Sequence, residues 1–331
     1  MQNIHSILAA LAGSVAVFTP PPTVHAETVQ ENFDANPAGR GWLTFGEAGL
    51  FRWNSTNRVL EVTWDSARPN SYFLRPLGTI LNKSEDFSLA FDLFLNDIAV
   101  GTTPGKPFTF ELAIGFLNLG QASQTNFLRG TGTQSPNVAE FDYFPDSGFG
   151  ATISPTIISS NHQFATTFNS PLELTTNALF HVEMRYTSTN QTLTTALARD
   201  GAAWEPIQPI VLGPEFTDFR VDHFAISSYS DDGQGLQFAG SILAHAGVDN
   251  IVITVPPPPV AELAGLFDGQ QRLVQFQARS NWVYSLERTL DFKTWTTLSR
   301  HTDSTGGKLV LADTNAPSAS AQFYRVKAER P

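Results

Sequence analysis

The chain of 331 residues contains no cysteine. Disulfide stapling, thiol nucleophiles and thiolate metal sites are excluded, and the fold must be held by its core alone. Charge is scarce, at 15% Asp, Glu, Lys and Arg, and lopsided, with 20 basic against 31 acidic residues and a net of −11. It is also uneven along the chain. From Pro256 onward nine basic and seven acidic residues give +2, whereas the preceding part carries eleven and twenty-four, a net of −13. A phosphate-binding surface needs clustered cations, so this acidity argues against a nucleic-acid partner. Long apolar runs are missing beyond the first twenty residues, and no later segment is long enough to span a membrane as a helix. Helical periodicity is missing too. No stretch keeps a 3.6-residue apolar period over three turns.

What is present points to strands. Phe is very frequent at 26, with 24 Gly and 21 Pro spread throughout, a usage that favours strands joined by turns. Residues 1–26 read as a secretory signal peptide: ILAALAGSVAVF (7–18) is apolar but too short for a bilayer, and Val24-His25-Ala26 offers small residues at a cleavage site. A secreted, periplasmic or cell-surface protein is therefore expected.

From Glu27 to Val255 apolar and polar residues alternate repeatedly. RVLEVTW (58–64) places Leu60, Val62 and Trp64 on one face, and DFSLAFDLFL (86–95) places Phe87, Leu89, Phe91, Leu93 and Leu95 on one face. FTFELAIGF (108–116) sets Phe108, Phe110, Leu112, Ile114 and Phe116 against Thr109, Glu111, Ala113 and Gly115. FHVEMRYT (180–187) and QTLTTALARD (191–200) read as a hairpin, and RVDHFAISSY (220–229) and DNIVITV (249–255) complete the set. About a dozen such strands imply an all-β domain, a large antiparallel sandwich or jelly roll, over 27–255. Pro256–Pro259 is a stiff extended spacer. Beyond it, RLVQFQA (272–278), WVYSLERT (282–289), KTWTTLSR (293–300), GKLVLAD (307–313) and QFYRVKA (322–328) describe a second, small β-sandwich over 260–331.

The chemistry concentrates in NVAEFDYFPDSGFG (137–150). The period of two puts Glu140 and Asp142 on one face of a strand, roughly 6–7 Å apart. Pro145 ends or bulges that strand and leaves Asp146 in a loop. Three carboxylates at a strand end suit a hard cation or a pair of catalytic acids, and the alternative is a solvated polar strand face. A second candidate is YSDDGQG (229–235), where Tyr229, Asp231, Asp232 and Gln234 combine sugar-hydroxyl acceptors with an aromatic; such acidic Gly loops are also ordinary hairpin turns. Trp53, Trp64 and Trp204 are candidates for stacking on sugar rings, with Trp64 assigned to the core by its strand. His181, His223 and His245 lack ligand spacing and are read as structural.

The motif Ala139-Glu140-Phe141-Asp142-Tyr143-Phe144-Pro145-Asp146 resembles the metal-binding strand of the legume-type lectins, within the concanavalin A-like lectin/glucanase superfamily. FGATISPTIISS (149–160) and the hairpin VEMRYTSTNQTLTTAL (182–197) follow in the same order. The resemblance implies a jelly-roll sandwich and one Ca2+ held by Glu140, Asp142, the Phe144 carbonyl, Asp146 and water. It departs downstream: no acid follows Asp146 until Glu173, and His162 is the only nearby histidine, so a two-metal site is not implied. In the glucanase branch a second catalytic Glu falls near Phe144 or Pro145, neither of which can serve, and the Arg- and His-containing signatures of polysaccharide lyases are not evident. The last part resembles the small fibronectin-like β-sandwich that ends many secreted proteins of environmental bacteria such as Verrucomicrobia. Tyr284-Ser285-Leu286-Glu287, Asp291 to Trp295 and Phe323-Tyr324-Arg325-Val326 carry that likeness, with Trp295 and Tyr324 expected as core anchors.

The expectation is a secreted, non-catalytic carbohydrate-binding or adhesion protein with a glycan or polysaccharide partner. The alternatives are a glycan-cleaving hydrolase or lyase drawing an acid/base from Asp231 or Asp232, and a structural surface or matrix protein.

Overall fold

The computed structural model describes residues 26–106, 109–131, 134–235, 239–268, 271–315 and 322–330. The expected signal peptide, apart from Ala26, and Phe108 lie outside these residues. Two compact units are present, one reaching to Ala261 and the other comprising Glu262–Lys327. No described helix is long and apolar enough to cross a membrane.

The larger unit is two antiparallel sheets. The first runs Ala202–Ala203, Thr192–Arg199, Leu179–Thr187, Phe87–Val100, Ile242–Val255, Val59–Asp65, Phe51–Asn54 in space, with Ile210–Val211 and Glu27–Glu31 as side pairings. Glu27–Glu31 lies against the far end of the unit, with Glu27 opposite Val255 and Glu31 opposite Ile251. The second runs Phe164–Thr166, Thr156–Ile158, Val138–Phe144, Leu112–Leu117, Val221–Ser228, Ser71–Leu81, Leu43–Phe45, with Thr152–Ile153 beside the third. The hairpin over 180–200 forms as its pattern predicts, Thr187 opposite Thr192.

Alternation decides which side chains face the other sheet. Leu60, Val62 and Trp64, and Phe87 through Leu95 at every second position, are buried. They meet the second sheet ring against ring: Phe91 with Phe141 at 5.8 Å, Phe87 with Phe116 at 5.3 Å and Phe51 with Phe73 at 6.0 Å between centroids. At roughly 1.5–3 kcal/mol for each fully buried large apolar side chain, this shared core dominates the unit's stability. One expected alternation fails. In Leu112–Leu117 every residue is buried, and Thr109 and Glu111 before it are buried as well. The outer face of this strand is therefore covered.

The smaller unit is two three-stranded sheets, Val260–Asp268, Gln271–Ala278, Gly307–Asp313 and Thr296–Asp303, Trp282–Thr289, Phe323–Glu329. Val274, Phe276, Trp282, Tyr284, Leu286 and Leu311 are buried in it. Trp295 is not the expected core anchor. It is half-buried, with the Arg325 guanidinium 4.0 Å above its ring. Tyr324 is half-buried too, its hydroxyl donating to Asp313 Oδ2 at 3.0 Å. The strand expected from Lys293 starts at Thr296, because Asp291 Oδ1 accepts the Lys293 and Thr294 amides at 2.9 Å and holds a turn there.

Candidate functional site

The acidic strand Val138–Phe144 lies between Leu112–Leu117 and Thr156–Ile158, with Glu140 opposite both Gly115 and Thr156, and Asp142 opposite Ala113. Pro145 ends it, as its missing amide requires. Ala139, Phe141 and Tyr143 point into the core, so Glu140 and Asp142 point to the outer face. They are not solvated there. Glu140 is 1% exposed and Asp142 0%.

The cover comes from the described residues between the two strands, 118–131 and 134–137. Asn137 precedes the acidic strand in the left-handed region at φ 62°, where Asn is tolerated. Its side chain donates to Gln121 Oε1 at 2.5 Å and accepts from Ser160 Oγ at 2.8 Å and the Arg220 amide at 2.6 Å. The segment brings Arg129 over the strand. Arg129 is 4% exposed; its Nε donates to Glu140 Oε1, its NH2 group to Asp142 Oδ2 at 2.5 Å, and Nε lies 3.6 Å from Glu111 Oε1. Tyr229 donates its buried hydroxyl to Glu140 Oε2 at 2.9 Å.

Three carboxylates thus surround one guanidinium in a site without water access. All ionised, they would leave two uncompensated negative charges, which a low-dielectric site does not tolerate. Burial, opposed by Arg129 and reinforced by Glu140, pushes Glu111 up to about 7. Burial, with the same opposition and with Glu140 and Glu111 adding to it, raises Asp142 well above the usual carboxylate range. For Arg129 burial works against the charge, but Asp142, Glu140 and Glu111 outweigh it and keep the guanidinium charged. Glu111 and Asp142 thus hold their protons to higher pH than ordinary carboxyls do, beside one permanent cation.

Calcium takes about six to eight ionised or carbonyl oxygens around one point. Here a guanidinium stands between Glu140 and Asp142. Asp146 lies in the following loop, its Oδ1 accepting the Gly148 amide at 3.0 Å, and Phe144 is half-buried at the strand end. Among the described residues no group of three or more His, Asp or Glu side chains is placed to hold a metal ion. The four residues expected as metal ligands do not fit one as they stand. Nor do they read as the alternative, a solvated polar face.

The loop at 229–235 divides. Tyr229 and Asp231 are buried and already partnered, Asp231 by Lys106 Nζ at 2.5 Å and Ser66 Oγ at 3.0 Å. They latch the loop and are not presented to a ligand. Asp232 is exposed, and half-buried Gln234 donates to the Ser230 carbonyl at 3.2 Å. These three histidines pair with carboxylates, His181 with Asp92 and Glu183, His223 with Asp222 and His245 with Asp97.

A different place is open. A cleft of about 840 Å3 lies between residues 168–175 and 204–209, with Arg199 on its wall. Trp204 lines it, its ring packed on Phe180 at 5.2 Å and its amide bonded to the Leu197 carbonyl at 2.9 Å. Phe168, 67% exposed, stands on the other segment. Asn169 ties the two walls, accepting the Gln208 amide at 2.9 Å. Glu173, Glu205 and Gln208 supply acceptors and an amide, and Thr175 Oγ1, also lining the cleft, is buried without a hydrogen-bond partner among the described residues. Trp204 is the one stacking candidate of the three found in this cleft. Trp64 is core, and half-buried Trp53 donates its indole to the Phe33 carbonyl at 2.9 Å. The sequence reading missed Phe168, Glu173 and Arg199, which carry no local pattern. It also missed Arg129, whose only signal is that it is the sole arginine between Arg75 and Arg185.

No family model matches this chain, and no curated protein does. Among solved structures, it is similar to a peanut lectin bound to a nonapeptide, at 15% identity over 70% of this chain and 99% of that one, with a TM-score of 0.41. It is similar to the alginate lyase Aly36B at 11% identity over 68% and 96%, TM-score 0.42. It is also similar to a PL-14 alginate lyase from Aplysia kurodai at 11% identity over 65% and 90%, TM-score 0.42.

Proposed function

We propose that this chain is a non-catalytic glycan-binding protein and that the cleft between Phe168 and Trp204 receives the sugar. The observation that carries the reading is the composition of that cleft. Sugar rings present an apolar face and a rim of hydroxyls, and a site for them needs an aromatic wall with a few fixed polar groups. Trp204 and Phe168 offer the wall. Glu173 and Glu205 would accept hydroxyl protons, and Arg199 and Gln208 would donate to ring or hydroxyl oxygens. Trp204 is braced by Phe180, so little side-chain freedom is lost on binding.

Catalysis by the acidic strand is not part of the reading. A retaining or inverting pair must flank the scissile bond, and Glu140 and Asp142 are closed off and engaged by Arg129. The test is an array of glycans and polysaccharides probed with the full chain, repeated with Trp204→Ala. Binding that falls at least tenfold in the variant, with an unchanged far-UV spectrum, supports the cleft. Binding that survives the substitution removes the cleft from the reading. No binding on a broad array removes the glycan.

A further inference from the structure

We propose that the Arg129 guanidinium is a built-in cation that replaces a divalent ion in the cluster of Glu111, Glu140 and Asp142, so that the native protein is indifferent to calcium and deleting Arg129 unmasks a Ca2+ site. This inference stands apart from the glycan reading and concerns another part of the molecule.

Three features carry it. The donor set is hard: three buried carboxylates supply up to six oxygens, the number at the lower end of calcium's range. The cation between them is fixed by the chain, with Glu140 and Asp142 each bonded to a different nitrogen of one guanidinium. The acids also have bonding capacity that Arg129 leaves unused. Glu111 Oε1, in a residue 2% exposed and 3.6 Å from Arg129 Nε, has no hydrogen-bond partner among the described residues. Asp142 Oδ1, also buried, has none of normal geometry. A planar guanidinium bonds in its own plane and leaves oxygens outside it unpaired, whereas a spherical ion accepts them from any direction.

The surrounding frame would survive loss of the side chain. Asn137, Gln121, Ser160 and Arg220 anchor the cover without Arg129, and Tyr229 holds Glu140 from the opposite side. In Arg129→Ala the long side chain leaves space between the acids, and a divalent ion would restore more charge than was removed.

The experiment is thermal unfolding of the full chain in 10 mM CaCl2 and in EDTA, with calcium titration calorimetry. The wild type is expected to show the same Tm in both and no stoichiometric heat. Arg129→Ala is expected to be less stable in EDTA and to recover in calcium. At a free ion concentration 100 times Kd the folded state gains about a hundredfold in population, several degrees in Tm for a unit of this size. Arg129→Ala combined with Asp142→Asn should lose that recovery. A wild-type protein that binds one calcium, with the binding lost in Asp142→Asn, overturns the proposal. So does an Arg129→Ala variant that folds but ignores calcium. If Arg129→Ala is insoluble, Arg129→Gln is tested in its place under the same two outcomes, and failure of both variants to fold in calcium overturns the unmasked site.

Discussion

Glu111→Gln should flatten the pH dependence of stability in the larger unit. Glu111 is moved from an ordinary 4.5 to about 7 by burial, against the attraction of Arg129. Between those values the folded protein keeps a proton that the unfolded chain has released. The unfolded state binds fewer protons, so stability must fall as pH rises through the window. At about 1.4 kcal/mol per unit the fall is roughly 3 kcal/mol between pH 4.5 and 7, and the raised Asp142 adds to it with the same sign. This is opposite to acid denaturation. Carboxylates held low, such as Glu61 and Asp86, act in the other direction but lose their contribution below the window. His181, which desolvation lowers but Asp92 and Glu183 raise by more, loses its contribution as pH rises through its folded value, above its ordinary 6.5. Comparison with the variant removes that background. Urea midpoints would be read by tryptophan fluorescence at pH 5 and pH 8, following the transition that reports buried Trp42 and Trp64. The wild type should be clearly weaker at pH 8, and Glu111→Gln should lose Glu111's share of that difference, leaving the part that Asp142 contributes. Parallel pH profiles for the two proteins would refute the assignment of a retained proton to Glu111.

Other substitutions address the same frame. At Gly115 an added Cβ would lie 2.4 Å from Glu140 Cα, which is backbone and cannot give way; Gly115→Ala should cost about 3 kcal/mol or more, read as a lower urea midpoint or loss of soluble protein. Tyr229→Phe deletes a buried donor to Glu140 and should cost about 1–3 kcal/mol, with glycan binding unaffected because the hydroxyl does not line the cleft. Lys106→Met leaves buried Asp231 with only its serine partner and should destabilise by several kcal/mol, since an unpaired buried charge is the costly case; recovery in the double variant with Asp231→Asn would tie the loss to that charge.

The framework was legible in the sequence wherever two-residue alternation met a half-buried strand. Leu60, Val62 and Trp64, and Phe87 to Leu95, fell on the core side because a slip of one residue would expose them all. Pro145 marked a strand end for the same local reason. The shared face of Glu140 and Asp142 was readable, but what covers that face was not. Arg129 arrives from a segment with no periodicity, and Tyr229 from 89 residues away. A sequence shows the direction of a side chain more readily than what will stand opposite it. One clue was present. Small Ala113 and Gly115 sit directly opposite the two acids, and small residues beside charged ones on a strand face mark room for something else. Trp295 failed for the converse reason: its motif suggested burial, whereas an exposed cation over its ring serves it as partner.

The pairing of Glu27–Glu31 with the end of Ile242–Val255 sets an order of events during synthesis. The first strand of the larger unit finds its partner only after more than two hundred further residues have been made, Thr28 meeting Thr254 across 226 positions. Until then Ile242–Val255 is also missing from its place between Phe87–Val100 and Val59–Asp65. A ribosome-bound chain can therefore close the hairpin over 180–200 early, but the nine-stranded sheet must wait with open edges. Such edges are templates for unwanted pairing. Nascent chains truncated before residue 242 should accordingly aggregate or recruit chaperones, and release from that state should coincide with the emergence of Ile251 to Val255.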